Sequence, residues 1–530
     1  MKKALCLVLI TALAMSSLTF AFAFASDDNA FAPYPQTVEV TIGRENIVSL
    51  DLPDVHNIDQ NKYIDYLNSA LNIKISYDWL ADSSAYTEKV NLAIASGEIP
   101  DVMYVNSQAQ LKQLVDNEMV EDLTDYMAPY FSDMMNDRFQ RYGAYGLESA
   151  MFDGRMMALP NLNGGYEFSF MWVRQDWVTA LGAQMPKTLD EVIALAKLFM
   201  EKDPNANGEG KTIGIAVNPQ VAGIYNNLGN IDPIFGTFNA FPRQWIRDEN
   251  GAITYGTISQ ETKQALGYVA DLYSQGVLDK EFAIRTGDNF NSLLLSGRCG
   301  IFFGPWWMPD WPLNAAIANN PQADWVPVLA PLDANGSFNV YRQKPNNQWI
   351  VVRKGYEHPE VVFKMLSYTI AHQSDDDVLN FYPGTSVLWT IWPVIMIYRD
   401  EDTIPQDYTL LSEALETGNP EKLSAEQKNV YTQCKLWLDN KDPAAWQMYT
   451  CRVVGPEVTT RKEVKAFDNV YPLMTDSMEL KWANLEKMEN EMILKTIMGE
   501  TSIDTFDSFV ESWLAQGGEE ITSEVNEQFK

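Results

Sequence analysis

Apolar and polar positions alternate with two different periods along this chain. Val38, Val40 and Ile42 are separated by Glu39 and Thr41, a period of two that predicts a half-buried strand over 38–42. Tyr63, Ile64, Leu67, Ala70 and Leu71 then recur at helical spacing. Strand character returns at 73–77, helix at 86–95 with Gly97 as its stop, and strand again at Val102–Val105. Such alternation predicts an α/β sheet with crossover helices. Thr188-Leu-Asp-Glu191 is a capping box, and Leu189, Val192, Ile193, Ala196 and Phe199 form the stripe of the helix it opens. Further buried strands are expected at 213–217, 300–303 and 349–352. A last helix carries Phe506, Phe509, Val510, Trp513 and Leu514 on one face, with Gly517-Gly518 expected to end it. The apolar run 387–398 is short and broken by Pro393, so it reads as a core segment and not a membrane span.

Composition narrows the picture. A chain of 530 residues is too long for one compact core, and 46% hydrophobic content is ample for two large lobes. Lys and Arg number 39 against 71 acids, a net charge of −32 that repels phosphate backbones and excludes nucleic acid as a partner. His56, His358 and His372 are too few for a histidine-rich metal or catalytic centre, and no metal or cofactor is expected. No nucleophile elbow, zinc-protease helix, phosphate-binding loop or C-x-x-C pair occurs. Paired carboxylates of the glycosidase kind stay open, because so many acids guarantee chance pairs.

The first 25 residues read as a secretory signal peptide. Lys2 and Lys3 precede an apolar stretch over 4–15, and Ala23-Phe24-Ala25 offers a cleavage site before Ser26. Cys6 lies far ahead of that site, so a lipid anchor on the first mature residue is not expected. Cys299, Cys434 and Cys451 remain. Cys299 sits in a strand-like apolar stretch and reads as packing, and a Cys434–Cys451 disulfide is left open.

Aromatic residues make up 12% of the chain, with 15 tryptophans. The densest stretch is Gly304-Pro-Trp306-Trp307-Met308-Pro-Asp310-Trp311, followed by Trp325. Flat rings beside carboxylates stack on the C–H faces of sugars while the acids bond hydroxyls. Trp306, Trp307, Asp310 and Trp311 are therefore taken as ligand-binding residues, with Trp172, Tyr382, Trp389 and Trp392 as further platforms; the competing reading of each ring is core filling. Asp203-Pro-Asn205-Ala-Asn207-Gly208 opens like a calcium loop, but Lys211 stands where an acid is wanted, so a solvated turn is expected.

Several segments resemble the extracellular solute-binding proteins of carbohydrate ABC transporters, the maltose-binding-like class, in its LipO-like and alginate-oligosaccharide-binding branch. They are Ser96-Gly-Glu-Ile-Pro-Asp101, Trp172-Val-Arg-Gln-Asp176, Leu295-Ser-Gly-Arg-Cys-Gly-Ile-Phe-Phe-Gly-Pro-Trp306, Gly355-Tyr-Glu-His-Pro-Glu360 and Gly499-Glu-Thr-Ser-Ile-Asp504. The resemblance implies a periplasmic-binding-protein-like fold, two α/β lobes joined by several crossover segments with a ligand cleft between them. It places crossings near Asn161, Gly304 and Ile350. After the signal peptide and a linker over 26–35, one lobe is expected to hold 36–160 and 304–350, the other 161–303 and 351–530. It also adds Asn106 and Gln108 to the ligand-facing residues. The implied function is a monomeric exported receptor that passes an oligosaccharide to membrane permease subunits of an ABC transporter. A secreted glycoside hydrolase or polysaccharide lyase, or a peptide receptor, is the alternative.

Overall fold

The computed structural model describes residues 28–46, 57–162, 168–223, 228–248, 251–285, 287–342, 346–373, 375–379, 381–382, 391–394, 403–471 and 473–529. The signal-peptide stretch and Trp389 lie outside the described residues. Ten strands carry the architecture: β1 (Val38–Asn46), β2 (Ile73–Asp82), β3 (Val102–Val105), β4 (Leu159–Leu162), β5 (Phe170–Arg174), β6 (Ile301–Gly304), β7 (Trp325–Val328), β8 (Phe338–Arg342), β9 (Asn346–Val352) and β10 (Val464–Asp468). Two small hairpins, Met151–Phe152 with Arg155–Met156 and Trp245–Arg247 with Ile253–Tyr255, accompany them.

The first sheet runs in the order β2-β1-β3-β9-β4. In β1, Val38, Val40 and Ile42 point into the core, as the alternation predicts. The helix Lys62–Leu71 that follows is capped by Asn61, whose Oδ1 accepts from the N–H groups of Tyr63 (3.0 Å) and Ile64 (3.1 Å). Asn72 ends it in the left-handed conformation (φ 53°), turning the chain straight into β2. β2 and β3 lie parallel to β1 on either side, as crossover helices require. β9 then returns antiparallel between β3 and β4, pairing Ile350 with Tyr104 on one side and with Leu159 on the other. Buried on both faces, β3 and the Trp349–Val352 part of β9 are unbroken apolar runs.

The second sheet is antiparallel, β6-β5-β7, and a separate parallel pair joins β8 to β10. Residues 38–162 and 349–394 share one hydrophobic core. Residues between 168 and 340, together with those beyond 404, fill the others. The chain therefore passes between halves after Leu162, after Arg342 and after Val394.

Three expectations are corrected by this packing. Residues 304–342 belong with the second half, because Gly304 pairs with Phe170 and Trp325–Val328 line β5; residues 351–394 belong with the first, because β9 continues its sheet into the helix Val361–His372. The stretch 28–35 is no free linker: Asp28–Phe31 is helical, the Asn29 carbonyl accepts from Lys364 Nζ, and the Tyr34 N–H bonds the Leu71 carbonyl at 2.9 Å. Residues 213–217 make isolated bridges to Cys299, Leu278 and Phe302 instead of a strand ladder. As expected, the helix that opens at Phe506 ends where Gly517 leaves helical geometry (φ 131°), and a further helix, Glu519–Glu527, follows across the kink. Of the apolar run 387–398, the described residues Ile391, Trp392 and Val394 are buried in the first core.

Because β9 is the strand that ties the late chain into the early sheet, trimming its centre should cost more than an edge change. Ile350→Ala is expected to lower the unfolding free energy by about 2–5 kcal/mol in urea titration.

Candidate functional site

Strand direction fixes which edges face the passages between halves. β3 ends at Val105 opposite Trp349, and Asn346 opposes Leu162, so this edge of the first sheet lies where the chain leaves for the second half. In the second sheet Gly304 pairs with Phe170 and Val328 with Met171, so the start of β5 and the ends of β6 and β7 share the corresponding edge. Asn106 and the turn 305–312 therefore leave the two sheets at the edges where the chain crosses.

On the first edge three amides form a row. Asn106 Oδ1 accepts from Gln348 Nε2 at 2.9 Å, and Gln348 Oε1 accepts from Asn161 Nδ2 at 3.3 Å. The Asn161 Oδ1 is buried without a partner, an acceptor left unsatisfied. Asn106 is exposed, and Gln108 is half-buried at the start of the helix Gln108–Asp116. Lys112 on that helix reaches Glu479 of the second half at 3.6 Å.

On the second edge a small recess of about 10 Å³, room for about one water, is lined by Phe168, Ser169, Asp232, Phe241, Asn339 and Tyr341 among others. Asp232 accepts from the Gly223 N–H (2.7 Å) and the Tyr341 hydroxyl (3.1 Å). Burial pushes its carboxyl up to about 6, against the pull of those two donors and of Arg243. Tyr341 stands opposite Phe467 in the β8–β10 pair, and Phe467 packs on Phe241 with ring centres 4.7 Å apart. Phe467 is 39% exposed, an aromatic face presented beside the recess. Behind it, Arg243 pairs with buried Glu489 at 3.3 Å, and the Tyr255 hydroxyl donates to the same carboxylate at 3.0 Å. Burial raises Glu489 from 4.5 to about 7.

The tryptophan-rich turn is built differently from expectation. Trp306 is only 3% exposed; Arg452 lies over its ring at 5.4 Å, and Gly455 packs so close that an added Cβ would meet the Trp306 carbonyl. Asp310 is committed to Arg452 (3.0 Å) and to Gln447 Nε2 (3.0 Å). Trp307 is half-buried, and Trp311 is 50% exposed. Trp172 is fully buried with its Nε1 donating to the Pro305 carbonyl at 3.1 Å. Tyr382 is buried in the first core, where its hydroxyl accepts from the Lys62 N–H at 2.8 Å. Trp172, Trp306 and Tyr382 therefore fill cores. Gln348, Asp232, Tyr341 and Phe467, which the structure places at these edges, are not singled out by the sequence; the polar run Asn346-Asn347-Gln348 that opens β9 is the available signal for the first.

The remaining groups with chemistry are quiescent. All three described cysteines are free, and burial raises the Cys299 and Cys434 thiols to about 12. The Asp203 loop closes on itself: the carboxylate accepts from the N–H groups of Asn207 (3.0 Å) and Gly208 (2.8 Å) and from the Thr212 hydroxyl (2.6 Å), while the Asn205 and Asn207 amides donate to the Gly297 carbonyl.

The sequence pattern of bacterial extracellular solute-binding proteins matches residues 61–374, and the chain belongs to that family. Its members bind solutes and are not enzymes, and the family's extracellular character gives an extracytoplasmic location. Among individual proteins, the chain is 22% identical over 480 residues to lipoprotein LipO of Bacillus subtilis, covering 89% of each chain. It is 22% identical over 482 residues to the polygalacturonan/rhamnogalacturonan-binding protein YtcQ of the same organism, covering 89% of this chain and 88% of that one. Of solved structures, the alginate-binding protein AlgQ2 superposes with a TM-score of 0.62 at 15% identity over 94% of this chain and 99% of its own. FusA of Streptococcus pneumoniae, in complex with kestose, gives 0.62 at 17% identity over 93% and 99%. The fold is thus that of the periplasmic-binding-protein-like solute receptors.

Two outcomes follow from the site's geometry. Trp306→Ala should cost folding stability, about 3–5 kcal/mol by denaturant titration of the ligand-free protein. Glu489 binds its proton more tightly when folded, so its contribution is present below 4.5 and lost as pH rises through about 7. Unfolding free energy should fall from about pH 5 to pH 8, and fall less in Glu489→Gln.

Proposed function

We propose that this chain is an exported receptor that captures an oligosaccharide between the facing sheet edges of its two halves and delivers it to the permease of an ABC transporter. The observation that carries this reading is Phe467, an exposed ring beside the Asp232–Tyr341 recess at the edge where the chain crosses. A ring supplies a face for the C–H side of a sugar, the carboxylate and hydroxyl serve its OH groups, and the amide row Asn106–Gln348–Asn161 offers both donors and acceptors from the other half. Half-exposed Trp311 and neighbouring Trp307 extend the aromatic surface on the second edge. The relatives' names point the same way: YtcQ is a polygalacturonan/rhamnogalacturonan-binding protein, and FusA was solved with kestose. Export rests on Lys2, Lys3 and the Ala23-Phe24-Ala25 site, which together have the form of a cleavable signal peptide. The receptor acts as a monomer, and capture requires no covalent step. Closing around a ligand must gain more from ring contacts and hydrogen bonds than it loses by desolvating the polar edges.

Calorimetry and thermal shift against a panel of oligosaccharides test this directly. Binding is expected without any new reducing ends on prolonged incubation; release of sugar fragments would turn the assignment to a hydrolase or lyase, and stabilisation by peptide pools alone would turn it to a peptide receptor. Phe467→Ala should weaken glycan binding about fivefold to tenfold while leaving the ligand-free Tm nearly unchanged.

A further inference from the structure

The loop after the helix Leu189–Lys202 opens like a calcium loop and has no part in the function proposed above. Counted from Asp203 as the first position, such a loop draws oxygens from positions one, three, five, seven, nine and twelve, with glycine at six. Asp203, Asn205, Asn207 and Gly208 (φ 104°) meet the demands at one, three, five and six. The later positions fail. Position nine is Lys211, whose ammonium lies 3.8 Å from where a Cβ on Gly208 would stand. Position twelve is Gly214, and a side chain there would run into the Val277 carbonyl, so no bidentate acid can be built at that place. Among the described residues no group of three His, Cys, Asp or Glu side chains is placed to hold a metal ion.

The polar atoms inside the loop are also turned against a cation. A carbonyl oxygen only accepts, so the Gly297 carbonyl, 3.1 Å from each amide, holds Nδ2 and not Oδ1 of Asn205 and Asn207 on its side. Asn207 Oδ1 is in turn taken by Asn205 Nδ2 at 3.1 Å. The Asp203 carboxylate accepts from three donors, the N–H groups of Asn207 and Gly208 and the Thr212 hydroxyl. Thr212 completes the closure. Only 5% exposed, its hydroxyl donates to Asp203 Oδ1 at 2.6 Å and accepts from Asn207 Nδ2 at 2.9 Å. It therefore bridges positions one and five, two residues that a bound ion would join. These residues do not fit a divalent cation.

We propose that the Thr212 hydroxyl stands in for the cation and makes 203–212 a metal-free staple. What the staple holds is the approach to β6. Besides the two amide bonds to Gly297, Arg298 Nε donates to the Lys211 carbonyl at 3.1 Å, and the Ile213 N–H donates to the Arg298 carbonyl at 2.8 Å. Gly297 itself (φ 68°) leaves no room for a side chain against Asn205 Nδ2. β6 begins just beyond, at Ile301, and ends at Gly304, from which the tryptophan turn departs. The stability of this half is accordingly independent of calcium.

Thermal unfolding of the full mature chain tests this, in calcium, in magnesium and in chelator at matched ionic strength. One Tm is expected in all three. A calcium site with the affinity of extracellular modules, a dissociation constant of ~10⁻⁴–10⁻³ M, would be loaded at ~10 mM and would raise Tm by at least ~3 °C. A rise of that size with calcium but not magnesium, absent from Asp203→Ala, would overturn the proposal. Thr212→Val keeps the side-chain shape and leaves Asp203 and Asn207 each short of a partner. Its Tm should drop by about 3–6 °C, equally with calcium and with chelator, and Thr212→Ser should recover most of the loss. A folded Thr212→Val protein with the wild-type Tm would overturn the staple. If Thr212→Val does not fold, a folded Thr212→Ser protein supports the staple, and one that is equally unfolded overturns it.

Discussion

The insertion of β9 into the first sheet is the constraint on which the rest of the molecule depends. That strand is made after most of the second half of the chain, yet it pairs on both of its edges, with β3 and with β4. Its Ile350, Val351 and Val352 side chains are fully buried, so leaving the sheet would expose apolar surface and strand two ladders of backbone groups. The segment 168–342 of the second half is consequently tethered at both ends to one edge of the first sheet: the chain departs after Leu162 and returns at Asn346, residues that are themselves register partners. Two halves with separate cores, joined at one sheet edge, are the geometric result.

The proposed function rests on what those edges present. Strand ends are where backbone polar groups stop pairing with neighbouring strands, so side chains there meet solvent and ligand. On one side they are amides already hydrogen-bonded to each other, which holds Gln348 and Asn106 in fixed orientation. On the other they are a carboxylate, a phenol and an exposed ring, backed by a buried Arg243–Glu489–Tyr255 network that anchors the wall. Lys112 and Glu479 form a partly exposed ion pair of 3.6 Å between the two halves, a contact of small energy.

Local periodicity made the first sheet legible: strand, helix and strand over 38–105 appear in the chain as written because each element buries its own stripe. Lobe membership was not legible past Gly304, since nothing in Gly304–Val352 says whether a strand will pair with β5 or β3. The tryptophan turn misled for a related reason. Its rings look available when read along the chain, but helix Pro443–Tyr449 and the residues after it arrive from far away and put Arg452 and Gly455 over Trp306. Phe467 was invisible because Val-Lys-Ala-Phe-Asp reads as an ordinary edge strand, and only its pairing with Tyr341 sets the ring against Phe241. Family membership follows from the match over 61–374, whereas the ligand-facing residues depend on contacts between segments hundreds of positions apart.

Hydrogen exchange with and without a saturating oligosaccharide probes both edges in one experiment. Capture between the halves predicts slowed exchange together at 104–108 and 346–350 on the first edge and at 338–342 and 464–468 on the second. Protection confined to one half, or to the turn 305–312 alone, would contradict a ligand held between the two sheets.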